Sequence, residues 1–178
     1  MKFKIFRFKK VNSTNNRAIN IIKKTNYKNG MIISETQSSG RGQYGKKWIS
    51  YKGNLFVSFF FELSNINISI KKLTNLNCLA VKKLLSIYTK KRIILKKPND
   101  LLIDKKKICG ILQESLKKFG KNYLVVGIGI NLIKSPNIKN YPTTNLYELL
   151  NKKVPKNKIE DKLKKIYELQ LTKIYKRK

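Results

Sequence analysis

Between Asn54 and Leu63 the chain alternates with a period of two: Leu55, Val57, Phe59, Phe61 and Leu63 fall on one side, Asn54, Ser58 and Glu62 on the other. Side chains that reverse direction at every residue define a strand, so this run predicts one with a buried face. Phe56 and Phe60 predict that its second face is partly covered as well. Phe3, Ile5 and Phe8 predict an opening strand and Met31 to Ser34 another. Ile93 to Leu95, Leu101 to Ile103, Ile108 to Leu112 and Tyr123 to Ile130 form a later group. Asp104 to Lys107 has the place of a hairpin turn within that group. Pro98, with no N–H to give a ladder, keeps the first of these runs from continuing.

Helical spacing appears in four places. Asn12, Ser13 and Thr14 offer cap chemistry for a helix from Asn15 to Lys24, with Ile19 and Ile22 facing the core. Leu73, Leu76, Ala80, Leu84 and Ile87 recur at helical intervals between Ile70 and about Lys90, which is expected to be the longest helix. Asn145 and Glu148 have capping-box spacing for a brief one, and Ile159 to Tyr175 carries a last amphipathic helix. Strands grouped in the middle with helices at intervals predict an α+β domain with a mixed β-sheet flanked by helices. At 178 residues, without an internal repeat or a linker, positions 1–178 read as one domain around one core.

Composition supports folding, since 41% hydrophobic and 10% aromatic residues are ordinary for globular chains. The charge is not ordinary: 41 Lys and Arg against 9 Asp and Glu give a formal +32. Such a field attracts polyanions without reading sequence. The residues in excess, however, are Lys, Asn, Ile, Tyr and Phe, all with A/T-rich codons, and the lysines are sprinkled from Lys2 to Lys178. That pattern fits a nucleotide-biased genome and a solvated basic surface, so no specific nucleic-acid partner is expected. Cys78 and Cys109 make no metal or redox spacing and lie in apolar runs, as buried reduced thiols do. No apolar stretch has the length of a membrane span, and Met1 to Lys10 alternates Phe or Ile with Lys instead of forming a signal-peptide core; a cytoplasmic protein without a membrane partner is expected. His is absent, which excludes His-based catalysis and His metal ligation.

Three segments carry candidate chemistry. In Gln37-Ser-Ser-Gly-Arg-Gly-Gln-Tyr-Gly-Lys-Lys-Trp48, three glycines let the backbone approach a ligand and turn N–H groups inward as an anion-binding nest, and Arg41, Lys46 and Lys47 add positive charge. The segment is too rich in Gly and polar residues to predict regular structure. In Lys96-Lys97-Pro98-Asn99-Asp100, the proline bends the chain at a strand end, where a preceding lysine can be aimed into a cleft. Lys106-Lys107-Ile108-Cys109-Gly110-Ile111-Leu112-Gln113-Glu114 follows, with a glycine inside an apolar strand marking a close approach by another group. Gly127 to Asn131 repeats glycine as Gly-x-Gly-x-Asn, but lacks the third glycine and the following helix of a dinucleotide fingerprint. A P-loop and a Gly-x-Ser-x-Gly turn are both missing.

In order and approximate spacing these segments, together with Ser13-Thr14-Asn15, resemble the biotin protein ligases, over about Asn12 to Leu150 and through five separate motifs. The resemblance implies the catalytic-domain fold of biotin and lipoate protein ligases, which is class II synthetase-like. It implies a two-step reaction: the biotin carboxylate attacks the α-phosphorus of ATP to give biotinyl-5′-AMP, and a lysine of a biotin carboxyl carrier protein, the acetyl-CoA carboxylase subunit, then takes the biotinyl group. The resemblance further implies ATP and biotin as substrates, with Mg²⁺ arriving with the nucleotide, and identifies no protein metal ligand. By matching position, Ser13, Thr14, Asn15 and Gln37 receive the biotin head, and Gly40, Arg41, Gly42 and Gln43 close over biotin and the adenylate phosphate. Lys96 and Arg41 are the catalytic candidates, Lys96 first. Trp48 resembles the aromatic that packs by the adenine, and by the same matching Lys107, Gly110 and Asn131 are placed around the nucleotide.

The sequence departs from the family pattern as well. Gln43 stands where a second arginine is common, Lys46 where another arginine is usual, and Lys97 where a tryptophan is usual. Because the arginine-rich loop helps the family retain the adenylate, Gln43 implies a leakier or slower enzyme. Neither an N-terminal DNA-binding domain nor a C-terminal β-barrel is expected, and a homodimer through the sheet is left open. Three alternatives stand beside this reading. A lipoate ligase of the same fold would carry an Arg-Arg-x-Ser-Gly-Gly-Gly loop that is not found here. A basic nucleic-acid-binding module has only the charge in its favour. A decayed ligase would fold without turning over.

Overall fold

The computed structural model describes residues 1–63 and 68–176. Seven strands form one sheet: β1 (Lys4–Val11), β2 (Asn29–Gln37), β3 (Leu55–Glu62), β4 (Ile93–Lys96), β5 (Asp100–Ile103), β6 (Lys106–Lys118) and β7 (Lys121–Ile130). Their order is β1-β2-β3-β7-β6-β5-β4. β1 and β2 are parallel, joined through helix α1 (Thr14–Lys24), and the other neighbours are antiparallel, so the sheet is mixed as expected. Helices α2 (Ile70–Leu85), α3 (Leu146–Leu150) and α4 (Lys156–Lys176) complete the domain.

The two faces of the sheet are covered unequally. On one, Val57, Phe59, Phe61, Leu124, Val126 and Ile128 meet α2 and α4 in the main core. Phe59 stacks on Tyr167 of α4 with ring centroids 4.1 Å apart and meets Phe3 at 4.9 Å. On the other face α1 packs Ala18, Ile21 and Ile22 onto Ile32, Phe60, Tyr123 and Val125. This second core explains why every residue of β3 is buried. Ile22 is fully buried as predicted, and Ile19 is half-buried against the same cluster. The C-terminal end of α1 is closed by Lys118, whose Nζ donates to the carbonyls of Ile22 (2.8 Å) and Thr25 (2.5 Å).

Three features differ from the sequence expectations. The longest helix is α4, with 21 residues against 16 for α2. α2 ends at Leu85 because the Ser86 hydroxyl and amide both bond back to the Lys82 carbonyl and the chain turns toward β4, leaving Ile87 half exposed. β6 runs on to Lys118, six residues past the apolar run, since its polar half pairs with β7 from Gln113↔Val126 to Lys118↔Lys121. Phe119 and Gly120, both at positive φ, close that hairpin, as Asp104 and Lys105 close β5 to β6.

Cys78 and Cys109 are buried free thiols, and burial pushes Cys78 up to about 11, helped by the charge of Asp100. Seven of the nine acids, Glu62, Asp100, Asp104, Glu114, Glu148, Glu160 and Glu168, stand in ion pairs with Lys or Arg. Among the described residues no helix is long and apolar enough to cross a membrane. Removing the ring at the centre of the main core, Phe59→Ala, is expected to lower the unfolding free energy by about 3–5 kcal/mol. Urea denaturation followed by circular dichroism measures this, and a loss under about 1 kcal/mol would contradict the packing described.

Candidate active site

The face that carries α1 is only half covered, and the reason is side-chain size. Along β3, β7 and β6 the row beneath α1 reads Phe60, Val125, Glu114. One step along, the row reads Ser58, Gly127, Leu112, and the next reads Phe56, Gly129, Gly110, continuing through Asp100 on β5 to Lys96 on β4. Three glycines thus sit together where bulk would otherwise fill the face. Above them is a cavity of about 550 Å³. Two side chains of the chain itself use the freed space: a Cβ on Gly127 would stand 2.3 Å from Asn15 Oδ1, and one on Gly129 would stand 2.4 Å from Trp48 Cε2. The Trp48 indole also lies against Gly110, where a Cβ would come within 2.7 Å of its ring. The close approach read at Gly110 is therefore made, from within the chain, by Trp48.

At the α1 side of the cavity polar groups are tied together. The amide and hydroxyl of Thr14 donate to Gln37 Oε1 at 2.8 and 3.1 Å, and Gln37 Nε2 donates to Ser50 at 3.1 Å. Asn15 Nδ2 donates to Glu114 Oε2 at 2.7 Å, while Ser58 donates to Asn15 Oδ1 at 2.6 Å. Ser13 caps α1 without a side-chain cap hydrogen bond and is buried in the cavity wall. Glu114 also receives Arg41, whose Nη2 lies 2.8 and 2.6 Å from the two carboxylate oxygens.

Arg41 belongs to a segment that is more ordered than its composition suggests. Trp48 N donates to Gly40 O at 2.9 Å, Arg41 bridges Lys47, and Gly42 N donates to Lys46 O at 2.6 Å, making a short hairpin. Its tip runs from Gln43 to Gly45, with Tyr44 and Gly45 at positive φ. Gly42 does not serve as part of the expected anion nest, since its amide is spent inside the hairpin and its backbone is extended. Positive charge here comes from side chains instead. Gly40 is the one predicted site residue that does not line the cavity; it lies behind the wall, where a Cβ would meet Trp48 O at 2.5 Å.

The β4 and β5 side is charged. After the cis Lys97–Pro98 bond, Asn99 docks on β6 through Nδ2 to Ile111 O at 2.6 Å and receives the Ile111 amide at 3.0 Å, which fixes Asp100 beside Gly110. Lys107 Nζ pairs with Asp100 Oδ1 at 2.8 Å and stands 5.3 Å from the Trp48 ring centre. Lys96 lines the cavity, whereas Lys97 does not and is exposed. Tyr141 donates to Asp100 Oδ2 at 2.6 Å, and burial together with that hydrogen bond pushes its phenol well above the ordinary range. Asn131 is buried, gives Nδ2 to Thr144 O, and keeps Oδ1 without a protein partner; Trp48 Nε1 is likewise buried without one.

Ser13, Thr14, Asn15, Gln37, Arg41, Gly42, Gln43, Trp48, Lys96, Lys107, Gly110 and Asn131 are thus brought to one cavity. Glu114, Asp100, Ser58 and Tyr141 were not singled out from sequence. Glu114 and Asp100 had a signal, for each closes one of the three distinctive segments in a chain with nine acids. Ser58 and Tyr141 had none apart from tertiary placement.

The family model of the biotin/lipoate A/B protein ligase family matches residues 7–131. The chain belongs to that family. Among curated members of this ligase family it is similar to the bifunctional ligase/repressor BirA of Escherichia coli, with 33% identity over 102 residues, 56% of this chain and 32% of the relative. It is similar also to the biotin--[acetyl-CoA-carboxylase] ligase of Paracoccus denitrificans, with 30% identity over 59% of this chain and 45% of the relative. The chain matches a third to less than half of the length of these two relatives. Among solved ligase structures, the biotin protein ligase of Aquifex aeolicus in complex with biotin and ATP superposes with a TM-score of 0.82 at 28% identity, over 98% of this chain and 72% of that one.

The glycine floor can be tested optically, because Trp48 is the only tryptophan. Gly129→Ala is expected to lift the indole from the sheet, moving its emission to longer wavelength and raising its quenching by acrylamide, with an unchanged far-ultraviolet spectrum. An unshifted emission maximum would place the indole elsewhere.

Proposed function

We propose that this chain is the catalytic part of a biotin protein ligase. In the first step a biotin carboxylate oxygen attacks the α-phosphorus of ATP, the bond to the β-phosphate oxygen breaks, and pyrophosphate leaves biotinyl-5′-AMP. In the second, the neutral amine of a carrier-protein lysine attacks the biotinyl carbonyl and AMP departs, leaving an amide. The carrier proposed is a biotin carboxyl carrier protein, the acetyl-CoA carboxylase subunit. The observation that carries this reading is the polarity of the cavity. On the α1 side Ser13, Thr14, Asn15 and Gln37 gather beside the mutually paired Arg41 and Glu114, and on the β4 and β5 side stand Lys96 and Lys107 with one carboxylate, Asp100, in a chain of this family. A ligand with an uncharged polar head and a carboxylate tail suits that gradient.

Ser13, Thr14, Asn15 and Gln37 are assigned to the head, with Arg41, Gly42 and Gln43 forming the flap above it. Trp48, Gly110 and Asn131 are assigned to the nucleotide, the free Asn131 Oδ1 being an acceptor suited to a base amino group. Lys96 and Lys107 are assigned to the reacting carboxylate and phosphate. Lys107 is the more deeply set, its side chain 19% exposed. An ion pair about 4 Å apart gains roughly 1 kcal/mol in water but roughly 4 at an effective dielectric near 20, so closure of the flap strengthens both contacts. No enzyme nucleophile is required, since positioning and charge stabilise this transition state. Mg²⁺ is taken to enter as part of the nucleotide substrate. Among the described residues no group of three or more His, Cys, Asp or Glu is arranged to hold it, and Asp100 is the cavity-lining carboxylate.

Biotin-dependent pyrophosphate release with ATP and Mg²⁺ is expected from the wild-type chain, and none with lipoate. Lys96→Ala and Lys107→Ala are each expected to reduce it by roughly 10²- to 10³-fold, the scale of one lost transition-state donor. A folded chain that releases none with biotin is not a ligase of this kind. Gln43 generates a second expectation. Gln43→Arg should slow escape of biotinyl-5′-AMP from the protein, measured by rapid filtration, by roughly 10-fold or more, as one charged hydrogen bond to phosphate allows. Equal escape rates would remove Gln43 from the flap's function.

A further inference from the structure

Three charged groups meet at the β4 and β5 side of the cavity, and they are not held equally well. Asp100 is fixed by the docking of Asn99 on β6. Lys107 stands on β6 itself, with its amide given to Pro142 O at 2.8 Å, its carbonyl receiving Thr144 N at 2.9 Å, and its ammonium on Asp100. Lys96 has no such support: it ends β4, at the open edge of the sheet, and is exposed. What its ammonium rests on is the ring of Tyr141, 4.3 Å from the centroid.

Tyr141 is placed to do more than this. Its ring also lies 5.5 Å from Lys107 Nζ, and its hydroxyl holds the Asp100 oxygen that Lys107 does not use. The segment that bears it is pinned on both sides, by Tyr141 N to Ile138 O at 3.1 Å and by the Lys107↔Thr143 bridge. A single half-buried side chain therefore contacts all three charges. Two ammonium groups beside one carboxylate repel each other, and the negative face of an aromatic ring lowers that cost without neutralising either. A second carboxylate in its place would neutralise the pair and leave less charge for an anionic substrate. The aromatic surface comes from residue 141, while Lys97, after Lys96, lies outside the cavity.

We propose that Tyr141 is a positioning residue: its ring face holds Lys96 over the cavity, and its hydroxyl fixes Asp100 so that Lys107 is presented at a set place. The role rests on the ligase reading for its catalytic consequence, but its geometric content stands without it. The ring effect belongs to Lys96 and the hydroxyl effect to Asp100, so Tyr141→Phe and Tyr141→Leu separate them.

The test uses the full chain in two measurements. Limiting N-hydroxysuccinimidyl acetate is applied to wild type, Tyr141→Phe and Tyr141→Leu, and acetylation is read at each lysine by mass spectrometry, with exposed Lys23 and Lys165 as internal references. An ammonium resting on a ring face is screened on that side from the reagent, so Lys96 is expected to react roughly two- to tenfold faster in Tyr141→Leu and at the wild-type rate in Tyr141→Phe. Biotin-dependent pyrophosphate release is then compared in a double-mutant cycle. Tyr141→Leu should lower kcat by a similar factor in the natural background, beyond any loss shared with Tyr141→Phe, and that extra loss should vanish when Lys96 is alanine. Equal labelling of Lys96 in wild type and Tyr141→Leu would overturn the proposal. So would a Tyr141→Leu penalty undiminished in the Lys96→Ala background, the signature of a merely structural role. The labelling difference without any biotin-dependent release from wild type would instead overturn the ligase reading and leave the placement of Lys96 standing.

Discussion

The architecture of the site depends on steric vacancy. Cross-strand neighbours on one face of a sheet lie about 5 Å apart, close enough that ordinary side chains would close the space between them. Here Gly127, Gly129 and Gly110 leave that space open on β7 and β6, and Asn15 and Trp48 descend into it until a single added carbon would collide with them. The polar network at α1 and the charged group at β5 are then separated by a floor of bare backbone. A ligand can lie flat across such a floor. Without the glycines the α1 face would be a second hydrophobic core from end to end.

The opposite face supplies the rigidity this arrangement needs. Phe59, stacked on Tyr167 and tilted against Phe3, packs with the apolar residues of β7 and β3 below the sheet. Side chains that alternate along β7 therefore serve two purposes: Leu124, Val126 and Ile128 build the main core, while Val125, Gly127 and Gly129 pass from α1 packing to site floor. The glycine floor lies on the buried stretches of β7 and β6, and β5 is paired to β6 beside it, so thermal motion that would blur the placement of Lys107 or Asp100 is opposed through those strands by the core.

Legibility from sequence followed the range of the interactions. The period-two run at β3, the cap chemistry at α1 and the Asn145 to Glu148 spacing are local signals, and each element forms where it was read. Asn145 accepts the Glu148 amide at 2.9 Å, while the glutamate side chain meets the asparagine amide nitrogen instead of its backbone. The second half of β6 was not legible, because Gln113 to Lys118 is polar and becomes a strand through β7. The extent of α2 misled for the opposite reason, as Ile87 keeps the helical spacing after the chain has turned. The motif residues were found by their resemblance to a family, and all but Gly40 line one cavity. Their partners Glu114, Ser58 and Tyr141 reach them through strands and loops brought together at distances of 41 to 99 residues along the chain.

The scarcity of carboxylates has a consequence for how this molecule tolerates change. A lysine on so basic a surface has many equivalents, and the loss of one alters the local field little. A carboxylate has none, because the next one is rarely near enough to take over its cation. Substituting Glu114 or Asp100 would leave Arg41 or Lys107 among other positive charges with nothing to answer them. In this chain the minority sign is therefore the informative one: where a carboxylate stands against the prevailing composition, it marks a place at which the fold has a fixed requirement.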